Sequence, residues 1–83
     1  MRFYFDIDDD YYSARDEDGI ELASDEAARH HANKVASSIA CDLFDESGSQ
    51  LTVTVRDSTR PLFALVITLS VTHFALSGSS APA

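Results

Sequence analysis

Ser24-Asp25-Glu26-Ala27-Ala28-Arg29-His30-His31-Ala32-Asn33-Lys34-Val35-Ala36-Ser37-Ser38-Ile39-Ala40-Cys41-Asp42-Leu43 reads as one amphipathic helix. At 100° per residue, Ala28, Ala32, Val35, Ala36, Ile39 and Leu43 fall in an apolar stripe about 100° wide. Arg29, His30, Asn33, Ser37 and Cys41 lie away from it. Ser24 can accept the first free amides as an N-cap, and Asp25 and Glu26 suit the positive end of the helix dipole. Alanine opens the stripe and Ile and Leu close it, so the N-terminal half can approach a sheet closely. The helix should end near Phe44, before the turn-forming Asp45-Glu46-Ser47-Gly48-Ser49.

On either side of the helix the apolar period changes from 3.6 to 2, the signature of strands with one buried face. Residues 2–8 place Phe3, Phe5 and Ile7 on one side and Arg2, Tyr4, Asp6 and Asp8 on the other. Asp9-Asp10 supplies turn chemistry, and Tyr11 to Arg15 reads as the returning strand. Asp16-Glu17-Asp18-Gly19 is a second turn, with Gly19 free to take a positive φ. Ile20 and Leu22 then lead back to the core. After the helix, Leu51, Val53 and Val55 alternate with Thr52, Thr54 and Arg56. Asp57-Ser58-Thr59-Arg60-Pro61 turns the chain into a long strand through Thr72, with Phe63, Leu65, Ile67, Leu69 and Val71 on one side. Pro61 fits only at the start of that strand, because it has no N–H to give a ladder.

The order is ββαββ, and the expected fold is α+β: a four-stranded antiparallel sheet with one amphipathic helix on one face. Residues 1–76 form a single domain and 77–83, rich in Ser, Ala and Pro, a flexible tail. The 83 residues suffice for one small core, burying about 60% of the unfolded surface. The other sheet face would carry Tyr4, Asp6, Thr52, Thr54, Arg56, Thr68 and Ser70, with Tyr11 or Tyr12, Ala64 and Val66 as an apolar patch. Homodimerisation through that face, or through an overhanging last strand, is a hypothesis this pattern raises.

Charge is unevenly placed. Of the 14 acids and 6 bases, residues 1–26 hold ten acids and two bases, a balance of −8, and residues 27–83 hold four of each. An acidic end on a neutral body repels phosphate, which disfavours direct nucleic-acid binding and adhesion to anionic membranes. The lone Cys41 cannot make an intramolecular disulfide. The opening residues lack the apolar run of a signal peptide, and the longest apolar stretch, Leu62 to Leu69, falls short of the ~20 residues of a spanning helix. A cytoplasmic protein is expected.

Chemistry-bearing constellations are weak. Asp6-x-Asp8-x-Asp10 with Glu17 matches the carboxylate spacing of a calcium loop, yet Tyr11 stands where that loop needs Gly, and the flanks read as strands. His30 and His31 are 100° apart on the helix and do not converge on one ion; His31, at the edge of the apolar stripe, reads as a packing residue. Cys41 has no base beside it in sequence, and Gly19, Gly48 and Gly78 are isolated, so neither a nucleophile nor a phosphate cradle is indicated. No catalytic residue, metal ligand or cofactor site is expected, and the chain does not read as an enzyme.

Arg2-Phe3-Tyr4-Phe5, Asp16-Glu17-Asp18-Gly19-Ile20-Glu21-Leu22, Ala27-Ala28, and Thr54-Val55-Arg56-Asp57 with Pro61-Leu62-Phe63 resemble a family of short uncharacterised proteins, a domain of unknown function common in alphaproteobacteria. Its members open on an Arg-Tyr-Phe-Phe-like strand and carry a Val-x-Val-Arg-Asp strand before a Pro-x-Phe strand. The resemblance covers about residues 2–72. Its motifs are turn and core residues, so it implies the fold and no activity.

The residues point to a small intracellular protein-binding or regulatory module. Asp8, Asp9, Asp10, Asp16, Glu17 and Asp18 would steer a basic protein partner, with Tyr4, Tyr11 and Tyr12 as anchors. Two alternatives from other classes are an acidic nucleic-acid mimic, such as an antitoxin or anti-defence inhibitor, and a metal-binding regulator.

Overall fold

The computed structural model describes residues 1–44 and 49–75. The expected turn at 45–48, the domain boundary at 76 and the tail at 77–83 lie outside the described residues. The class is α+β with an antiparallel sheet. The strands are β1 (Arg2–Asp9), β2 (Ser13–Ala14), β3 (Ile20–Glu21), β4 (Ser49–Arg56) and β5 (Pro61–Leu69), with α1 (Asp25–Leu43) between β3 and β4. The sheet order is β2-β1-β4-β5, and β3 also pairs with β1.

The period-two pattern fixes which side each strand buries. Phe5 opposes Val55 and Ile7 opposes Val53 across β1 and β4, and Val53 opposes Leu65 and Val55 opposes Phe63 across β4 and β5. These residues share one face, against which α1 packs through contacts with β4 and β5. Phe3, Phe5, Leu51, Val53 and Val55 are buried there with Ala28, Ala32 and Ala36 of the helix. The three alanines are four residues apart and lie on one side of α1, so at these positions only a methyl group separates the helix backbone from the sheet. Among the described residues no polar or charged residue is buried in this core. Val35 and Ile39 are half-buried along the same stripe, while Arg29, His30, Asn33, Ser37 and Cys41 are exposed. His31 packs edge-on against Phe5, with ring centroids 4.8 Å apart. Ser24 caps the helix as its sequence indicates, its hydroxyl accepting from the Ala27 amide at 3.1 Å.

The second strand is shorter than its sequence suggests. Tyr11–Arg15 contributes only Ser13–Ala14, paired with Asp8 and Ile7. A separate pair, Ile20–Glu21, joins the same edge of β1 opposite Phe3 and Arg2. Between the two, the side chain of Asp16 replaces the ladder: its Oδ2 accepts from the Phe5 amide at 3.1 Å, and its Oδ1 from the amides of Asp18 and Gly19 at 3.1 and 3.0 Å. An edge amide that would lack a strand partner is thus satisfied by a carboxylate, as a half-buried donor requires. Arg56 locks the arrangement from β4. Its Nε donates to Asp6 Oδ2 at 2.7 Å, its Nη2 donates to the Asp16 carbonyl at 2.7 Å, and the Asp16 amide donates to Asp6 Oδ1 at 2.9 Å. Gly19, at φ 69°, then brings the chain back beside β1. A Cβ there would lie 2.9 Å from both the Phe3 carbonyl oxygen and Tyr4 Cε2.

The far strand also ends early. β5 stops at Leu69, which pairs with Ser49, and Ser70–Thr72 are not strand, so the expected strand through Thr72 is shorter than its alternation suggests. The β4–β5 turn is held by Asp57, whose Oδ1 accepts from the Thr59 amide, the Thr59 hydroxyl and the Arg60 amide at 2.8, 2.8 and 2.9 Å.

Candidate functional site

The β1–β2 turn is built by an aspartate. Asp9 Oδ1 accepts from the Tyr11 amide at 2.8 Å, an Asx turn, and the Asp9 amide donates to the Tyr12 carbonyl at 2.8 Å. Ser13 Oγ donates to Asp8 Oδ1 one step along the hairpin. Tyr11 is 94% and Tyr12 59% exposed.

The two rings stand at one end of an open groove of about 550 Å³, lined by Ile7, Asp9, Tyr11, Tyr12, Ile39 and Asp42. The floor is aliphatic, from the last inward residue of β1 and the last turns of α1. The walls are aromatic and acidic, and no Lys or Arg lines it. Asp8 and Asp10 flank the same turn. Such a surface offers rigid aromatic contact area of the kind that dominates binding hot spots, set within a negative potential that steers cations toward it. Ile39 and Asp42 belong to this site although the hairpin sequence does not name them. Their spacing of three on α1 is the available signal, since residues three apart share a helix side, but which strand end that side meets is set by the packing.

The nine residues expected to form one surface fall into two groups. Asp8, Asp9, Asp10, Tyr11 and Tyr12 are together at the tip. Tyr4, Asp16, Glu17 and Asp18 lie toward the other end of β1, with Tyr4 roughly 16 Å along the strand from Asp9 on the usual rise. Tyr4 faces the side of the sheet opposite the helix and carries the Arg56 guanidinium 4.5 Å above its ring. The Asp18 carbonyl accepts from Arg2 Nη1 at 2.8 Å.

Asp16 and Asp6 show how the second group is spent. Burial pushes the Asp16 carboxyl up, but the amides of Gly19, Phe5 and Asp18 outweigh it and hold the group below its ordinary value, against a smaller opposing push from the Asp6 charge. Burial likewise opposes ionisation of Asp6, and the hydrogen bond from Arg56, the Asp16 amide and the charges of Arg56 and Arg15 reverse it. Both carboxylates are committed to the fold as anions. The calcium-loop spacing from Asp6 is used in this way too: Asp6 is paired to Arg56 and Asp8 receives Ser13. Among the described residues no three His, Cys, Asp or Glu side chains converge as a metal site, and no helix is long and apolar enough to cross a membrane.

In comparison with known proteins, a family model described as a domain of unknown function, DUF6894, matches residues 2–68. No curated protein and no solved structure matches the chain.

Proposed function

The chain belongs to the DUF6894 family, a domain of unknown function, and from that premise we propose that it is a non-enzymatic protein-binding module whose hairpin tip docks a basic segment of a partner protein. Tyr11 and Tyr12 anchor an aliphatic or aromatic side chain of that segment over Ile7 and Ile39. Asp8, Asp9, Asp10 and Asp42 take the Lys or Arg residues beside it. Asp16 acts in this reading as the post that holds the hairpin, and Tyr4 as a platform for Arg56. We place the protein in the cytoplasm, where an exposed, unpaired Cys41 is kept reduced, and by its opening and Val-Arg-Asp motifs among alphaproteobacterial members of the family.

The observation that carries the reading is the nearly complete exposure of Tyr11 on a turn fixed by Asp9, beside a groove with an apolar floor and acidic walls. Large exposed aromatics on an ordered turn gain nothing for the fold and mark contact surfaces.

Titration with a synthetic peptide of Lys and Arg around one central Leu tests it. Binding should quench tyrosine emission and weaken steeply with salt, because the attraction acts between exposed charges. Asp9→Asn keeps an oxygen to accept from Tyr11, so it removes charge and leaves the turn. Combined with Asp8→Asn and Asp10→Asn it should weaken binding about tenfold or more, the effect of about 1.4 kcal/mol. Unchanged affinity in the triple variant, or binding indifferent to salt, overturns the reading.

A further inference from the structure

β5 is an edge of the sheet. It pairs with β4 along one side, and among the described residues no strand pairs with the N–H and C=O groups along its other side. Natural edges are guarded by charge, by proline, by bulges or by brevity. β5 has nine residues, Pro61–Leu69; its guards, Pro61 and the register shift opposite Val55 and Arg56, both sit at its first end and leave Phe63–Leu69 without one. From Pro61 onward the sequence contains no Asp, Glu, Lys or Arg.

Both rows of its side chains are under-covered. Phe63, Leu65 and Ile67 pack against the core yet stay only half-buried, and Ala64, Val66 and Thr68 are exposed on the side away from the helix, Val66 by 56%. Above the first row, Asp25, Glu26 and Arg29 of α1 overlook Phe63 and Leu65 across an open groove of about 480 Å³.

We propose that β5 pairs antiparallel with β5 of a second copy, about a two-fold axis at Leu65, joining two sheets into one. Charge selects this occupant. A molecule with a formal charge of −8 repels its own copies, and repulsion is weakest along this uncharged edge strand, which lies across the sheet from the acidic hairpin. The strand is also complementary to itself. With Leu65 at the midpoint of Pro61–Leu69, Phe63 of one copy stands beside Ile67 of the other on the helix side, and Ala64 beside Val66 on the open side. Antiparallel pairing keeps opposed residues on one face, so the apolar row continues across the junction. The rim carries both signs, and a two-fold contact is self-complementary when it does: Arg29 of each copy faces Asp25 and Glu26 of the other. The proposal does not depend on the hairpin tip, which lies at the opposite edge and stays open in the dimer.

Light scattering on the full chain tests it. The wild type should run at twice 9.1 kDa. The double variant A64K/V66K sets like charges directly opposite each other across the junction and should run at 9.1 kDa, with a circular dichroism spectrum matching wild type because both positions are exposed. Thr52→Lys lies on β4, in the middle of the open face; a dimer formed face to face would lose it, and the edge-paired dimer keeps it. A wild type that stays monomeric at about 1 mM, too weak to count as association, overturns the proposal. So does a doubled mass in A64K/V66K, or a monomer with Thr52→Lys.

Discussion

At one edge of the sheet β1 meets two strands of two residues each, and the interval between them is filled by the carboxylate of Asp16. At the other, β5 runs nine residues without a charge. The first edge draws on Asp6, Asp16, Gly19, Arg56 and Arg2 to satisfy the backbone without a continuous partner. The second has no such device, and among the described residues no strand pairs with its outer side. A sheet edge is an aggregation template unless something blocks it, and the contrast teaches that blocking can be done by side chains aimed inward at the ladder, at the expense of several residues that then have little else to do.

The sharpest way to break this comparison is Asp16→Ala. It leaves the half-buried Phe5 amide without an acceptor and loosens the turn at Asp18 and Gly19. An orphaned donor of this kind costs about 1–3 kcal/mol, so with the turn included the loss should be near the top of that range. Urea unfolding should show it as a lower midpoint at unchanged slope, and hydrogen exchange should quicken at Phe5. A midpoint within error of wild type means that the carboxylate is not what closes the edge.

Acid tests the same residue through its charge. Asp16 and Asp6 are both held below the ordinary carboxylate value of 3.8. A depressed folded pKa gives stability that is complete above the unfolded value and is lost as pH falls through the folded one. Wild type should therefore exceed Asp16→Asn at neutral pH, and the gap should close below about pH 4, where the unfolded carboxylates begin to protonate. A gap that does not narrow at all as pH falls from neutral into the acid range would assign the difference to shape and not to ionisation.

Gly19→Ala comes next. The left-handed backbone costs a residue with a Cβ about 1–2 kcal/mol, and the new atom must also clear the Phe3 carbonyl at 2.9 Å. The β3 pairing should weaken before the β2 pairing does, which amide exchange at Phe3 and Ile7 would separate. The smallest effect belongs to the other edge. Val66→Lys, measured at a dilution where the chain is monomeric, should change stability by no more than about 0.5 kcal/mol. A larger loss would mean that β5 is already covered within its own chain.

How far these features can be read from the residues follows the range over which each is determined. The helix is legible almost to the residue: Ser24 caps it, the alanine stripe buries it, and both signals are local. The alternation of Phe3, Phe5 and Ile7, and of Leu51, Val53 and Val55, likewise states which face is inside. The early end of β5 at Leu69 is not written in β5, whose alternation continues to Val71. The division of the second strand is harder still, because it depends on Asp16 reaching Phe5 eleven residues back and on Arg56 reaching Asp6 fifty residues away. An acidic turn looks the same in sequence whether its carboxylates face water or the backbone. Thus Asp9 and Asp16 are read alike from composition, and only the register of β1 against its neighbours separates the one that presents Tyr11 from the one that closes the sheet.

Growth by strand addition needs two docking sites per molecule, a donor and an acceptor. The Asp16 plug removes one of them, so any assembly started at the far side of the sheet has nowhere to propagate and must stop at a pair. A substitution that withdraws the plug would then do more than soften one protein: it would turn a chain terminator into a monomer for fibres.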